Sequence, residues 1–167
     1  MASANRLSRT LGHLDRLPAP LRTRARSLIL GRIVKFVGTA GLRIEELTAE
    51  RAVVAVANRA RVQNHIGSVH AAAMALIAET ASGFVVGMNV PDDRVPVIKS
   101  LAIDYRKRAT GSLRAVATLT DEERAHIRAS DKGEVTVAVT VTDETGSEPI
   151  ACRMVWAWTP KRRATNN

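Results

Sequence analysis

Cysteine and aromatic residues are nearly missing from this chain. A single cysteine, Cys152, cannot form an intramolecular disulfide, so the fold has to be held by its core. Aromatics make up 3% of the 167 residues (Phe36, Phe84, Tyr105, Trp156, Trp158), which leaves Val, Leu, Ile and Ala to build that core. The N-terminus has no secretory apolar stretch, and a cytoplasmic protein is the expectation. Residues 71–90 approach membrane-span length, but the run is rich in alanine and carries Glu79 near its middle. A carboxylate there costs a few kcal/mol, so membrane insertion is not expected. No internal repeat, Gly-rich phosphate loop or nucleophile elbow is present. No Cys/His spacing suggests a metal site; His65 and His70 stand five residues apart, a poor spacing for two ligands on one helix face. Neither a metal nor a cofactor is expected.

Acidic charge is scarce only at the ends. Residues 1–44 carry nine basic residues against Asp15, a balance of +8, and Lys161, Arg162 and Arg163 add +3. The stretch 45–160 is close to neutral at −2, which accounts for the net +9. A nucleic-acid partner would want a basic face on the folded body, so none is expected.

What is present reads as one α+β domain, a size that suits a single core. Residues 19–36 place Leu21, Ala25, Leu28, Ile29, Ile33 and Phe36 on one face, with Arg22, Arg26 and Arg32 largely off it. This predicts an amphipathic helix that docks on its own fold; the competing reading is a basic helix on a lipid surface. Strands are predicted at about 37–46 and 51–57. A small-residue helix follows in 64–83, with a start near Val69. Beyond it come four strands of period two: Val95, Val97, Lys99, Leu101, Ile103 and Tyr105 on one face; Leu113, Ala115, Ala117 and Leu119; Val135, Val137, Val139 and Val141; Ile150, Cys152, Met154, Trp156 and Trp158. Thr120 and Glu123 read as a capping box opening a short helix, and 143–149 as a hairpin turn with Gly146.

Glu79 is the one charge in the long apolar helix. A lone carboxylate in such surroundings must be paired, hydrogen-bonded or used. Its neighbours at helical spacing are mostly small (Ala72, Ala75, Leu76, Ser82, Gly83, Val86), which leaves room for a ligand. The same small residues also suit a helix pressed on a sheet, with Glu79 merely ion-paired.

The segment NHIGSVHAAAMALIAETASG resembles the central-helix motif of hot dog fold thioesterases, in particular the phenylacetate-pathway (PaaI-like) acyl-CoA thioesterases. Their pattern is N-x-x-G-x-x-H-G-G with an Asp nine residues after the His. Asn64, Gly67 and His70 fall on its first marks, Ala71 and Ala72 replace the glycine pair, and Glu79 stands at the Asp position. The resemblance spans about residues 35–160 and implies an antiparallel sheet of about six strands wrapped around the long central helix. The expected organisation is an N-terminal tail and helix (1–36), the hot dog domain (37–160) and a flexible basic tail (161–167).

The resemblance implies acyl-CoA thioester hydrolysis, with Glu79 as general base or nucleophile. The Ala71 N–H at the helix start would hold the oxyanion, and Asn64 would orient the carbonyl or the water. For His70 a catalytic and a structural role both stand. Ala72, Thr80 and Gly83 are expected at the substrate. The cluster Arg106, Lys107, Arg108 is a candidate for the CoA phosphates or simply a solvated surface. Two competing functions are a non-catalytic acyl-CoA or fatty-acyl binding module and a hydratase or dehydratase. Eight residues separate Ala71 from Glu79, about 12 Å along a helix axis, too far for one carbonyl to reach both. The expected site is therefore shared between two antiparallel helices in a homodimer or a dimer of dimers.

Overall fold

The structure, a computed structural model, describes residues 5–161. Of the basic tail expected at 161–167 only Lys161 lies among them; its N–H donates to the Asp93 carbonyl at 2.8 Å.

The elements run α1 (Arg6–Gly12), α2 (Ala19–Ile33), α3 (Lys35–Ala40), β1 (Arg43–Leu47), β2 (Arg51–Val56), α4 (Ala71–Gly87), β3 (Arg94–Tyr105), β4 (Leu113–Thr118), α5 (Asp121–Ala129), β5 (Gly133–Asp143) and β6 (Ile150–Pro160). The six strands form one antiparallel sheet in the order β1-β2-β4-β5-β6-β3. β5 divides its length between neighbours: Gly133–Val137 pairs with β6, and Ala138–Asp143 with β4. This offset lets the sheet curl, and α4 lies in the curve against β2, β3, β4, β5 and β6.

The core lies between α4 and the sheet. Ile77, Ala78, Ala81, Val85 and Val86 face Val54, Ala115, Ala117, Met154 and their neighbours, all fully buried. Each large aliphatic side chain of this kind contributes about 1.5–3 kcal/mol. The alternating faces expected for β4, β5 and β6 are the inward ones, and the Thr120/Glu123 capping box opens α5. Gly146 supplies the left-handed residue of the β5–β6 turn, at φ 76°.

Five expectations are corrected. The helix expected over 19–36 stops at Ile33, and the strand expected over 37–46 begins only at Arg43, because the chain between them forms α3. The Val34 carbonyl accepts from Val37 and Gly38 N–H groups at 3.0 and 3.4 Å, which starts the turn, and Gly41 at φ 70° ends it.

The buried face of α2 is also different. Arg26 and Leu30 face inward, while Leu21, Leu28, Ile33 and Phe36 are exposed at 52–66%. The Arg26 guanidinium reaches Asp15 at 2.6 Å, so its long stem packs inward with its charge answered.

Residues 64–70 are not helical. They form a tight turn, and α4 starts at Ala71 with His70 as its N-cap.

Finally, β3 does not carry one half-buried face. Opposite Trp156 and Val155 of β6, Ile98 and Ser100 bracket an extra residue, Lys99, which shifts the alternation. Leu101 is thereby brought into phase with Ile98 rather than Val97. β3 is an edge strand paired on one side only, and Val95, Val97, Ile98, Leu101 and Tyr105 are 37–53% exposed.

Candidate active site

Glu79 projects from the middle of α4, half-buried, into a cavity of about 160 Å³ lined by Val34, Val37, Thr80, Gly83, Phe84 and Trp156. Removal from water pushes its carboxyl above the ordinary value of 4.5, and the neighbouring Thr80 hydroxyl opposes this in part. That hydroxyl makes no hydrogen bond of ordinary geometry, although Thr80 is only 4% exposed. Glu79 has no ion pair among the described residues. The cavity therefore holds a carboxyl with no ion pair and, beside it, a buried hydroxyl in apolar surroundings.

Trp156 closes this cavity. Its indole N–H donates to Ser82 Oγ at 2.9 Å, and Ser82 in turn donates to the Ala78 and Glu79 carbonyls. The ring lies directly against Gly83: a Cβ there would sit 2.6 Å from Trp156 Cζ2. Only glycine lets the indole pack so close to α4.

The helix start is a separate place. His70 Nδ1 accepts from the Ala72 N–H at 3.0 Å, and the His70 N–H is anchored on the Val62 carbonyl at 2.8 Å. The Ala71 N–H has no acceptor among the described residues, while the Ala71 carbonyl accepts from Tyr105 Oη at 2.9 Å. His70 and Ala72 line a second cavity of about 230 Å³ with Phe36, Thr39, Arg61 and Gln63. Glu79 is not among its walls.

Asn64 belongs to the turn before the helix. Its side-chain oxygen accepts from the Ile66 and Ser68 N–H groups, both at 3.1 Å, leaving the amide NH2 for any other partner. Arg108 braces the same turn, with Nε on Ser68 Oγ at 2.8 Å and a second nitrogen on the Ile66 carbonyl at 2.9 Å. Arg106 and Lys107 are exposed, with backbone N–H groups bonded to the Pro149 carbonyl. The structure thus brings Glu79, Thr80 and Gly83 to one cavity, and His70 and Ala72 to the other.

Sequence reasoning missed α3, which with the preceding Val34 walls both cavities: Val34 and Val37 face Glu79, and Phe36, Thr39 and Ala40 face the helix start. The signal was Gly41 followed by Leu42, a helix stop after KFVGTA. It also missed the tether from Tyr105 to α4.

Residues 22–158 match the family described as domain of unknown function DUF4442. The chain belongs to that family. Its fold is the hot dog fold. A Pseudomonas aeruginosa protein of unknown function, described as a probable thioesterase, superposes with a TM-score of 0.72 at 24% identity, over 87% of this chain and 97% of its own. A thioesterase from Haemophilus influenzae matches with a TM-score of 0.64 at 12% identity, over 82% and 92%. A mutant thioesterase from Pseudomonas aeruginosa matches at 0.64 and 16%, over 87% and 97%. No curated protein sequence matches the chain. No helix among the described residues is long and apolar enough to cross a membrane.

Proposed function

We propose that this DUF4442 protein hydrolyses acyl thioesters, acyl-CoA among them, with Glu79 supplying the base or nucleophile. The observation that carries this reading is the isolated, half-buried carboxyl in an apolar cavity, with its proton affinity raised by burial. A group held there with no ion pair costs stability, and catalysis gives it a use. The ordinary steps are balanced within the site. Glu79 takes a proton from water as the water oxygen bonds to the carbonyl carbon; the tetrahedral oxyanion is held by the Ala71 backbone N–H at a helix start. Its collapse breaks the carbon–sulfur bond, and the thiolate leaves with the proton.

The oxyanion donors come from a second copy of the chain. Along one α4 the Ala71 and Glu79 backbones lie about 12 Å apart, and separate cavities serve the two ends. A two-fold axis that runs two α4 helices antiparallel brings one helix start to the other's Glu79. The edge strand β3 supports such an axis: it is twelve residues long, unpaired on one side, and exposes Val97, Ile98 and Leu101.

The test is release of free thiol from a series of acyl-CoAs. Hydrolysis by the wild type and its loss in Glu79→Gln are expected. Tight acyl-CoA binding without thiol release would favour a binding module, and water addition to an enoyl-CoA a hydratase.

A further inference from the structure

The arginines that matter to a phosphorylated substrate are not the ones adjacent in sequence. A third cavity, of about 150 Å³, is lined by Ala40, Gly41, Arg43, Ala57, Arg59 and Arg61. Half of its walls are therefore arginines, drawn from the start of β1 and from the loop after β2. Arg43 is partly answered by Glu45 at 3.3 Å, but Glu45 is shared with Arg114 at 2.9 Å. Arg59 and Arg61 are exposed and make no ion pair among the described residues. Three like charges around one concavity repel each other unless an anion sits between them. Guanidinium groups answer phosphate best, because their paired N–H donors match its oxygens.

Position gives the cluster its meaning. Arg61 and Ala40 line this cavity and also the helix-start cavity that holds His70 and Ala72. The Arg61 guanidinium lies over Gly41, where even a Cβ would come within 3.2 Å of its Nη1. A ligand with its thioester at the helix start therefore has a continuous way to Arg61 and on to Arg59 and Arg43. Arg108, by contrast, already spends its guanidinium on Ser68 and Ile66.

We propose that Arg43, Arg59 and Arg61 form the binding site for the phosphates of a thioester carrier, the phosphorylated nucleotide end of CoA. The proposal rests on the thioesterase reading for the identity of the ligand, and it commits the substrate to a free CoA ester rather than an acyl group on a carrier protein.

The experiment is titration calorimetry of the full chain with adenosine 3′,5′-bisphosphate, the phosphorylated nucleoside of CoA without its acyl arm. Binding is expected in the wild type. It should weaken about tenfold in Arg59→Ala and in Arg61→Ala, the loss of one charge-assisted contact each, and vanish in Arg59→Glu. Both residues are exposed, and unchanged melting curves would confirm folding. An Arg106→Ala/Lys107→Ala double variant should bind as the wild type does. No wild-type binding, binding unaffected by the Arg59 and Arg61 changes, or loss only in the Arg106/Lys107 variant would overturn the proposal. So would a duplex DNA oligonucleotide that displaces the bisphosphate at equal concentration. Because binding is read without turnover, absence of thiol release would sink the hydrolase reading and leave this result standing. Thiol release without bisphosphate binding would do the reverse.

Discussion

The proposed site, divided between two chains, can be taken apart and put back together. On the proposed mechanism Glu79→Gln removes the base, and Ala71→Pro removes the donor. The second change is tolerated by the backbone for two reasons. Ala71 is the first residue of α4, where proline's fixed φ suits the helix and its missing N–H has no intrahelical partner. The residue before a proline must avoid the helical region, and His70 already sits at φ −65°, ψ 145°. Loss of one oxyanion donor costs about 10²–10³ in kcat, and loss of the base at least as much, so each variant alone should be nearly silent. Unfolded and refolded together at equal concentration, the two chains should give about half mixed dimers. Each mixed dimer holds one site with both lesions and one with neither, so about a quarter of wild-type activity should return. Thiol release after refolding is the assay, with native mass spectrometry to count mixed dimers. If mixed dimers form and activity stays at the level of the parents, the site lies within one chain and the reasoning is wrong.

Glu79→Gln should also raise the melting temperature at pH 7. Burial lifts the Glu79 carboxyl, so its contribution to stability is present below its ordinary 4.5 and lost as pH rises through the folded value; the gap between variant and wild type should close near pH 4. The acid limb of kcat/KM should accordingly lie above 4.5, and a limb at or below it would contradict the raised carboxyl. Gly83→Ala should cost about 1–3 kcal/mol in denaturant unfolding, because the new Cβ meets the Trp156 ring at 2.6 Å. A Val97→Lys/Leu101→Lys variant should run as a monomer in light scattering and lose thiol release together with the dimer, since both residues lie on the exposed edge strand.

How far the sequence can be read depends on which element is asked. β4, β5 and β6 each turn one face toward α4, so period two is written into them, most cleanly in β4 and β5; in β6 Val155 is buried on the other face as well. The single charge in α4 was as plain, because nothing else in that helix competes with it for attention. β3 failed for two reasons: one inserted residue at Lys99 reverses the phase, and an edge strand has no second neighbour to enforce burial. α2 failed because the rule that arginines point outward ignores partners. Asp15, eleven positions away, makes an inward Arg26 acceptable and turns Leu28 and Ile33 to the outside. The walls of the two cavities were beyond local pattern. Trp156 meets Glu79's helix across 77 positions of chain, and Arg43 meets Arg59 and Arg61 only through the fold.

The replacement of a glycine pair by Ala71 and Ala72 can now be weighed against the observed helix start. The Ala72 N–H is already taken, since His70 Nδ1 accepts it. A side chain at position 72 therefore costs no oxyanion donor, and it forms part of the cavity wall with Phe36. The Ala71 N–H stays open, and its methyl leaves that N–H in place. His70 thus does two things by one bond on the proposed mechanism: it caps the helix and narrows the oxyanion donors to a single amide. A doubly protonated imidazole cannot accept a hydrogen bond, so the cap requires the neutral ring with its proton on Nε2. His70→Asn, which can cap in the same way, should keep activity if the residue is structural, whereas His70→Ala should lower both activity and melting temperature. Activity lost in His70→Asn with the melting temperature unchanged would place the imidazole in the chemistry instead.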